Sequence, residues 1–496
     1  MFNKLLIANR GEIAVRIIKA CKELGIKTAA IYSDADITAL HPRLADEAYY
    51  IGGSAAAKSY LDKDKIINLA KEISADAIHP GYGFFSENTD FINEVEKSGI
   101  TFIGPSSKSV SMMGSKTAAR NLMMKNNVPI VPGSLEAVKN IEEGLRVASE
   151  IGYPILLKAS AGGGGKGMRR VNSDDEFKSA FESTKREALK SFANDDVYIE
   201  KFIENPKHIE VQIIADKHGN YRHIFERECS IQRRHQKIIE ESPSSFVDTE
   251  LRKDITTAAI NAAKACNYFN AGTIEFLVDI NRKFYFLEMN TRIQVEHPVT
   301  EFISGIDLVR EQISIAAGNK ISFSQDDLKI NGYAMECRIY AEDPSNNFMP
   351  STGKIIDYKE PGGAGVRVDS GFSSGSEISI FYDPMIAKLI CWDKDRPSAI
   401  NRMKRALSEY QISGVTTNIS FLNFILENEI FISGSYDIHF IDKMFKNNSN
   451  SLFDKDNEES DTAAFIFAAL IKSRKSGVVK IKNSNSSNNW REQLYE

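Results

Sequence analysis

Residues 286 to 298, with the sequence FLEMNTRIQVEHP, concentrate side chains that are capable of acid–base and metal chemistry. Polar or charged residues occupy every second position of this segment: Glu288, Asn290, Arg292, Gln294 and Glu296. In an extended strand these five side chains would share one face, with Met289, Ile293 and Val295 on the other. A solvated edge strand would show the same alternation, so the segment is best judged together with the residues before it.

The preceding residues suggest that the acidic face belongs to a hairpin. The apolar strands TIEFLVDI and KFYFLEMN are separated by only two residues, Asn and Arg, which is a moderate hairpin signal. A symmetric two-residue loop would pair Ile280 with Lys283 and would place Glu275 directly opposite Glu288. An odd loop would break this register.

Two carboxylates that face each other across a ladder favour a bound cation. Like charges in this position are destabilising unless something neutralises them. Asn290 adds an amide oxygen two residues beyond Glu288. Hard oxygen ligands without His or Cys are typical of Mg²⁺ or Mn²⁺ sites, and we therefore expect one of these ions here.

A glycine-rich stretch, SAGGGGKGMRR (160–170), follows an apolar run and suggests that a phosphate approaches the backbone. A P-loop is excluded, because its first glycine would fall on Ser160 and Gly167 stands where a hydroxyl is needed. A dinucleotide-binding turn would run directly into a helix, and a protein kinase would carry H-R-D and D-F-G. We expect a flexible hairpin between the strands PILLKAS and MRRVN, with Lys158 and Lys166 flanking the glycines; a mobile surface loop is the alternative.

A basic run, CSIQRRHQKIIEES (229–242), adds Arg233, Arg234, His235 and Lys237. Such runs are usually solvated faces, but beside metal-binding carboxylates they can hold anions. The glycine hairpin, the lysines at 116 and 158, the carboxylates and this basic run together indicate ATP and a second anionic substrate. In phosphoryl transfer the protein mainly positions groups and neutralises charge.

The elements that position these residues are predicted to be of the α/β and α+β classes. The strands KLLIAN, TAAIYS, DAIHP and TFIGP alternate with helices, which predicts a doubly wound parallel sheet. HPGYGFFSEN (79–88) falls at a carboxyl strand end, where such sheets bind ligands, although for residues 79–83 alone a turn is the simpler interpretation. Residues 115 to about 205 suggest a small α+β flap domain, and 206 to about 330 an antiparallel sheet with helices.

Size and composition restrict the class of protein. A chain of 496 residues should form two to four domains. The net charge of −5 argues against general affinity for nucleic acid or membranes. Five scattered cysteines without C-x-x-C indicate neither a disulfide framework nor a zinc site. The N-terminal apolar stretch is too short for a signal peptide and no run reaches membrane-spanning length, so we expect a cytoplasmic protein.

Several long motifs follow one another up to about residue 445: LLIANRGEIAVRI, HPGYGFFSEN, KASAGGGGKGMR, SIQRRHQK, EMNTRIQVEHPVTE, ECRIYAEDP and YDPMIAKL. With these motifs the chain resembles a biotin carboxylase, an ATP-grasp enzyme. The resemblance implies ATP-dependent carboxylation of biotin with bicarbonate through carboxyphosphate. It also implies a Rossmann-like N-terminal domain at 1–114, an ATP-grasp domain at 115–330 with a flexible lid at about 131–204, a biotin carboxylase C-terminal domain at 331–445, and a linker and tail at 446–496.

The resemblance implies a nucleotide site with two metal positions. Lys116 and Lys158 would bind the ATP phosphates under the glycine lid, which comprises Gly163, Gly164, Gly165, Lys166, Gly167 and Met168. The adenine would lie against Glu200, Lys201 and Ile203, and the site would be completed by His208, Gln232, His235 and Leu277. Glu275, Glu288 and Asn290 would bind Mg²⁺ or Mn²⁺, in agreement with the register argument.

The resemblance assigns the remaining polar residues to bicarbonate and biotin. Bicarbonate would be held by Lys237, Arg292, Gln294 and the Val295 backbone. Glu296 would be the general base that deprotonates bicarbonate for attack on the γ-phosphate, and its cationic neighbours should keep it ionised. Arg338 would stabilise the biotin enolate, a role that suits a permanently cationic side chain.

The chain departs from the family pattern mildly at the lid, where Ala161 and Lys166 stand at positions that are often Gly and Arg, and more strongly in its tail. No A-M-K-M motif occurs. We therefore expect biotin as a carrier-bound substrate, and as partners a separate biotin carboxyl carrier protein and a carboxyltransferase subunit. A homodimer is the family expectation. The tail at 446–496 is a candidate docking segment or a partly disordered end.

The sequence is compatible with three functional interpretations. The first is the biotin carboxylase subunit of a multisubunit enzyme, an acetyl-CoA or propionyl-CoA carboxylase, with a two-subunit pyruvate carboxylase as its alternative. A carbamoyl-phosphate synthetase would be a longer, duplicated chain, and this sequence shows no repeat. A non-catalytic nucleotide-binding subunit would need none of the charged residues at 275, 288, 292, 296 and 338.

Overall fold

The N-terminal region of this computed structural model, which describes residues 1–134, 136–159, 168–192 and 195–447, is a five-stranded parallel sheet covered by helices. Its strands are β1 (Lys4–Ile7), β2 (Lys27–Ser33), β3 (Glu47–Gly52), β4 (Ala77–His79) and β5 (Thr101–Phe102), in the order β3-β2-β1-β4-β5. Its helices are α1 (Gly11–Glu23), α2 (Leu40–Leu44), α3 (Lys63–Glu72), α4 (Thr89–Lys97) and α5 (Ser107–Gly114). All pairings are parallel, which confirms the doubly wound prediction. The half-exposed β3 is an additional strand.

A three-stranded antiparallel sheet with helices follows. Its elements are α6 (Lys116–Lys125), α7 (Ile141–Ile151), β6 (Ile155–Ala159), β7 (Met168–Val171), α8 (Asp174–Phe192) and β8 (Val197–Lys201). Leu157, Phe177 and Ile199 belong to its buried core. Lys158 pairs with Met168 across β6 and β7, so the glycine run connects two strands as predicted. The run itself lies outside the described residues.

The central sheet has eight strands and carries most of the polar cluster. Its first half and flanking helices are β9 (Lys207–Ala215), β10 (Tyr221–Arg233), β11 (Gln236–Ser242), α9 (Thr249–Ala265), β12 (Asn270–Val278), β13 (Phe284–Asn290), α10 (His297–Ser304) and α11 (Leu308–Ala316). Helix α9 buries an alanine-rich face, including Ala259 and Ala262, in the same core as Ile213 and Phe276.

The C-terminal region adds its long strands to the same sheet. Its elements are β14 (Tyr333–Tyr340), β15 (Glu342–Asp343), β16 (Met349–Pro350), β17 (Gly353–Lys354), β18 (Tyr358–Lys359), β19 (Val366–Ser370), β20 (Glu377–Ile378), β21 (Met385–Asp393), α12 (Arg396–Glu409), β22 (Gln411–Ile412), α13 (Ile419–Glu427), α14 (Glu429–Ile432) and α15 (Phe440–Asn447). The sheet order is β13-β12-β9-β10-β11-β14-β21-β19. No helix in the described part of the chain has the length and hydropathy that a membrane span requires.

The hairpin of β12 and β13 has the predicted register at Glu275 and Glu288, but its loop differs from the prediction. Val278 pairs with Phe284, so the loop is odd and the expected Ile280–Lys283 pairing is wrong. A bulge next to Glu275 restores the register, and Glu275 does lie opposite Glu288, as predicted. A bulge places two residues of one strand opposite one of the other, which compensates for one extra loop residue.

β13 ends at Asn290, so the extended conformation considered for Arg292, Gln294 and Glu296 is wrong. Residues 291–296 are irregular, and α10 begins at His297 with Pro298 in its first turn. Proline is favoured in the first turn of a helix and signals the start of α10 more reliably than the alternation signals a strand.

Candidate active site

Lys237 lies at the centre of a buried cluster of carboxylates. It is on β11, just after the two-residue turn Arg234–His235, whose φ angles are +51° and +66°. Its ammonium is 2.5 Å from Glu210, 2.9 Å from Glu275 and 2.6 Å from Glu296. Burial would lower the pKa of Lys237, but these carboxylates raise it well above its ordinary value. The side chain is therefore a fixed cation.

Glu296 immediately precedes α10 and is 2 % exposed. One carboxylate oxygen is 2.6 Å from Lys237 Nζ, and the other is 2.9 Å from Arg338 Nη2. Burial would raise the pKa of the Glu296 carboxyl, but Lys237, Arg338 and then Arg227 hold it below its ordinary value. Glu296 is consequently ionised at neutral pH and able to accept a proton.

Arg338, on β14, is shared by two carboxylates. Its Nε donates to Glu240 at 2.6 Å and its Nη2 to Glu296 at 2.9 Å. Burial raises the pKa of Glu240 to about 7, and Arg338 offsets this only in part. Glu240 also faces Glu336 across the β11–β14 ladder, and burial raises the pKa of Glu336 as well.

Arg227 is fully buried beneath this cluster and fixes its polar side chains. It forms an ion pair with Glu210, and its guanidinium donates to Gln212 at 2.7 Å, to Gln294 at 2.5 Å and, at 3.1 Å, to Thr273 and Thr300. A buried guanidinium with every direction satisfied is rigid, because each lost bond would leave a buried donor unpaired.

Glu275 collects several donors on the hairpin edge of the cluster. Its Oε1 accepts from Asn290 and from Gln294, both at 2.8 Å, and its Oε2 is 3.0 Å from His208 Nε2. Burial would raise the pKa of Glu275, but Lys237 and then His208 hold it well below its ordinary value. The carboxylate is therefore available to a metal at neutral pH.

Potential ligand atoms for a divalent cation surround Glu275. Atoms of His208, Glu210 and Glu275 lie within 4.8 Å of one another, and Asn290 is bonded to Glu275. Glu288, opposite Glu275 in the bulge, is exposed on β13. Carboxylate and amide oxygens of this kind fit Mg²⁺ or Mn²⁺.

Arg292 is held at the mouth of the cluster. Its Nη2 donates to Asn290 at 2.9 Å and its Nε to Glu87 at 2.9 Å. Glu87 also accepts from the backbone and hydroxyl of Thr291, at 2.9 and 3.0 Å. The HPGYGFFSEN segment therefore supplies more than a turn, because its glutamate anchors the start of the irregular 291–296 segment.

The residues predicted to bind nucleotide are only partly described. Gly163, Gly164, Gly165, Lys166 and Gly167 lie outside the described residues, as does the side chain of Lys116, while Met168 is exposed on β7. Lys158 is ion-paired with Glu200, which also pairs with Arg120. The other predicted contacts lie on the central and small sheets or at their ends: Lys201, Ile203, His208, Gln232, His235 and Leu277.

Three of these nucleotide residues already make local hydrogen bonds. Lys201 Nζ donates at 2.9 Å to the carbonyls of Gly152 and Tyr153. His208 Nδ1 is 2.9 Å from Gln232 Nε2, which joins two predicted contacts on neighbouring strands. His235 is exposed on the turn that precedes Lys237, and Leu277 is partly exposed on β12.

Sequence reasoning missed four residues of the cluster: Glu87, Glu210, Arg227 and Glu240. Glu210 had a readable signal, because His208, Glu210 and Gln212 form a polar stripe of period two within an otherwise apolar strand. Arg227 and Glu240 had none, since their proximity depends on the order of strands in the eight-stranded sheet.

Comparison with known proteins covers nearly the whole described chain. Residues 1–110 match the family described as "Biotin carboxylase, N-terminal domain", residues 115–324 the "Carbamoyl-phosphate synthase L chain, ATP binding domain", and residues 336–443 the "Biotin carboxylase C-terminal domain". The chain is 54 % identical over 443 residues to a pyruvate carboxylase subunit of Methanothermobacter thermautotrophicus, covering 89 % of this chain and 90 % of that protein. It is 53 % identical to biotin carboxylase 1 of Bacillus subtilis, covering 89 % and 98 %.

A solved structure has the same fold. The biotin carboxylase domain dimer of Hydrogenobacter thermophilus 2-oxoglutarate carboxylase, in complex with MgADP, ADP and bicarbonate, has a TM-score of 0.83 and 49 % sequence identity. The match covers 92 % of this chain and 99 % of that one.

Proposed function

Because the chain belongs to the biotin carboxylase family of ATP-grasp enzymes, we propose that its buried charged cluster is the site at which bicarbonate is activated. The enzyme carboxylates biotin with bicarbonate at the expense of ATP and uses Mg²⁺. We assign each part of this reaction to individual residues of the chain.

One observation carries the assignment of the base: Glu296 is buried between two cations and ionised. Its pKa lies below the ordinary value although burial opposes ionisation. It therefore accepts the bicarbonate proton as general base, and the protonated carboxyl that forms keeps both cations as neighbours. Glu240 is the less suitable base, because Arg338 binds one of its oxygens and the hydrogen bonds of Lys237, which is assigned to bicarbonate, go to other carboxylates.

Bicarbonate is placed by the cationic and amide groups around Glu296. Lys237 and Arg292 neutralise the anion, and Gln294 and the Val295 backbone orient it. Arg227 fixes Gln294 by a hydrogen bond, and Glu87 fixes Arg292 in the same way. Fixed donors that need no rearrangement during the reaction are the main source of such stabilisation.

We assign the metal ions to residues of the β12–β13 hairpin and the nucleotide to the residues predicted from the sequence. Glu275, Glu288 and Asn290 hold the metal ions, and we add Glu210 to the candidate ligands on the distances above. A bound Mg²⁺ or Mn²⁺ neutralises the phosphate oxygens of ATP. Lys158 turns from Glu200 to the phosphates under the glycine lid, with Lys116 beside it, and Glu200, Lys201 and Ile203 receive the adenine.

Arg338 receives the carboxyl acceptor. We assign it to the biotin enolate, because its guanidinium is cationic at every relevant pH and already spans two carboxylates. The same guanidinium contacts Glu296. Deprotonation of bicarbonate and carboxylation of biotin therefore take place around one cation.

The test measures phosphate release from MgATP by the purified chain, with bicarbonate and free biotin each added or withheld. We expect release that rises only when biotin and bicarbonate are both present, and loss of that rise in Glu296→Gln. Release that is indifferent to biotin would contradict the proposal and would favour another carboxylate-activating ATP-grasp ligase.

For the complete enzyme we propose the biotin carboxylase subunit of a multisubunit enzyme that carboxylates acetyl-CoA or propionyl-CoA. A separate biotin carboxyl carrier and a carboxyltransferase subunit complete it, and the domain limits are those predicted from the sequence. We propose a homodimer, as in the solved dimer of the 2-oxoglutarate carboxylase domain. A cytoplasmic location stays a prediction.

A two-subunit pyruvate carboxylase is the second candidate. It is favoured by the 54 % identity to the pyruvate carboxylase subunit of Methanothermobacter thermautotrophicus. Reconstitution with the carrier and carboxyltransferase chains, offered acetyl-CoA, propionyl-CoA or pyruvate, distinguishes the two. Carboxylation of pyruvate alone would reject the acyl-CoA proposal.

A further inference from the structure

A fully buried lysine, Lys388 on β21, stands behind the site and has none of the roles assigned above. Its ammonium donates to the Val295 carbonyl at 3.0 Å. It lies 3.1 Å from Glu12 Oε2 and 3.7 Å from Asp369 Oδ2. Lys388 belongs to the YDPMIAKL motif and Glu12 to the LLIANRGEIAVRI motif, to which no function has been assigned so far.

The sheet brings these groups together from distant parts of the chain. Lys388 lies opposite Arg338 on β14 and opposite Asp369 on β19, so all three side chains share one face of the sheet. Glu12 comes from the first turn of α1, in the N-terminal region. The lysine is therefore the point where the N-terminal helix, the C-terminal strands and the 291–296 segment meet.

A buried ammonium indicates a specific role, because a protein with an apolar residue of the same volume at that position is often as stable or more stable. Asp369 does not explain the ammonium, since it is already paired with Arg367 through two bonds of 2.9 and 2.7 Å. Glu12 offsets the charge of the lysine, but burial raises the pKa of Glu12 to about 7, so this pair is not strongly stabilising.

Glu336 is a further charge neighbour of Lys388, but the contact that reaches the site is the hydrogen bond to the Val295 carbonyl, directly before the general base. Residues 291–296 form no strand, so side chains have to hold this segment. Glu87 holds its beginning through Thr291, and Glu275 holds Gln294. Lys388 holds the peptide that joins Val295 to Glu296.

From this geometry we infer that Lys388 is a positioning residue for the bicarbonate reaction. By fixing the Val295 carbonyl it orients the peptide before Glu296 and keeps the Glu296 carboxylate between Lys237 and Arg338. The inference rests on the role proposed for Glu296. It extends that role by a residue that does not touch the substrate.

The test separates positioning from stability by a pair of variants. Lys388→Met leaves Glu12 buried without its partner and should lower the melting temperature. Lys388→Met combined with Glu12→Gln removes both charges and should restore the melting temperature. In this double variant we still expect kcat/KM for bicarbonate to fall by about 10- to 100-fold, since small displacements of reacting groups cost this much.

Two controls make the result specific. Glu12→Gln alone keeps the Val295 contact and should retain kcat/KM for bicarbonate within about twofold, because a group that acts only by charge balance does not move the base. Lys354→Met, at an exposed lysine of β17, should change nothing. The dissociation constant of MgADP, measured by calorimetry, should be unchanged in all variants.

A double variant with restored stability and wild-type kcat/KM for bicarbonate would overturn the inference. So would a double variant that stays unstable and loses activity and MgADP binding together, because Lys388 would then be structural only. Absence of bicarbonate-dependent turnover in the wild type would instead reject the proposed function. The two failures are therefore distinguishable.

Discussion

At the scale of single residues, the cluster works because its carboxylates differ in protonation. Burial acts to raise the pKa of Glu275, Glu296 and Glu240, and nearby cations decide which of the three stay ionised. Glu296 contacts two cations, Lys237 and Arg338, and its pKa falls below the ordinary value, whereas the pKa of Glu240, which is bonded to Arg338, rises to about 7. Environments that push the pKa values of neighbouring acids apart assign the base without any change in residue type.

Replacement of the base gives the first prediction. Glu296→Gln keeps the shape and the contacts to Lys237 and Arg338 but cannot accept a proton. We expect bicarbonate-dependent turnover to fall by about 10²- to 10⁴-fold, the usual contribution of a general base. MgADP binding should be unchanged. Glu250→Gln, at an exposed position in α9, is the matched control, and equal losses in both variants would contradict the assignment.

The contribution of Glu336 to the stability of the folded protein should depend on pH in the opposite sense from that of an ordinary buried carboxylate. Neither of its oxygens has a hydrogen-bond partner among the described residues, and burial raises its pKa well above the ordinary value of 4.5. The folded state therefore holds a proton that the unfolded chain releases above pH 4.5. The stability that comes from this proton is complete below that pH and is lost as pH rises.

Glu336→Gln imitates the protonated form at every pH. We expect the variant to be as stable as the wild type at pH 4.5 and more stable at pH 8, by about 1–3 kcal/mol. Melting temperatures measured from pH 4.5 to 8 check this. A variant that loses stability relative to the wild type as pH rises would show that Glu336 is ionised in the folded protein.

At the scale of elements, the sequence predicts what depends on local period and fails where tertiary packing decides. The alternation of strands and helices in the first hundred residues and the hairpin that carries Glu275 and Glu288 were both predictable. The bulge was not, because it depends on the loop geometry. The polar stripe of β9 indicates Glu210, but its proximity to Arg227 and Glu240 was not predictable, because three different strands of the central sheet supply these residues.

The irregular 291–296 segment shows how an element without ladder bonds is held. Glu87 anchors it by accepting from Thr291 and Arg292. We expect Glu87→Ala to lower kcat/KM for bicarbonate by about tenfold, because Arg292 then loses its carboxylate partner and keeps only its contacts to Asn290 and to the Ile293 carbonyl. MgADP binding should not change. Asp90→Asn, at an exposed position in α4, is the control, and wild-type kinetics in Glu87→Ala would reject the anchoring role.

At the scale of the whole molecule, a buried ionic layer connects the N-terminal and C-terminal regions across the central sheet. Glu301 on α10 is 2.9 Å from Arg16 on α1 and 2.7 Å from Arg367 on β19. Lys388 with Glu12 forms a second connection. The irregular 291–296 segment lies between the two connections. The relative placement of the N-terminal and C-terminal regions and the placement of Glu296 therefore depend on the same side chains.

The pH dependence of stability should report the Glu301 connection. Burial would raise the pKa of Glu301, but Arg16 and Arg367 lower it to about 2. A depressed folded-state pKa contributes stability that is complete above the unfolded value, near 4.5, and is lost as pH falls towards 2. Glu301→Gln should therefore destabilise the protein at pH 7 by on the order of 3 kcal/mol, since Arg16 and Arg367 lose a buried charged partner and keep only Asp307 and Asp369. The difference in melting temperature between variant and wild type should narrow from pH 5 to pH 3, whereas the exposed Glu250→Gln should match the wild type throughout. A difference that stays constant over this range would mean that the charge of Glu301 does not hold the regions together, and that its contribution is one of packing alone.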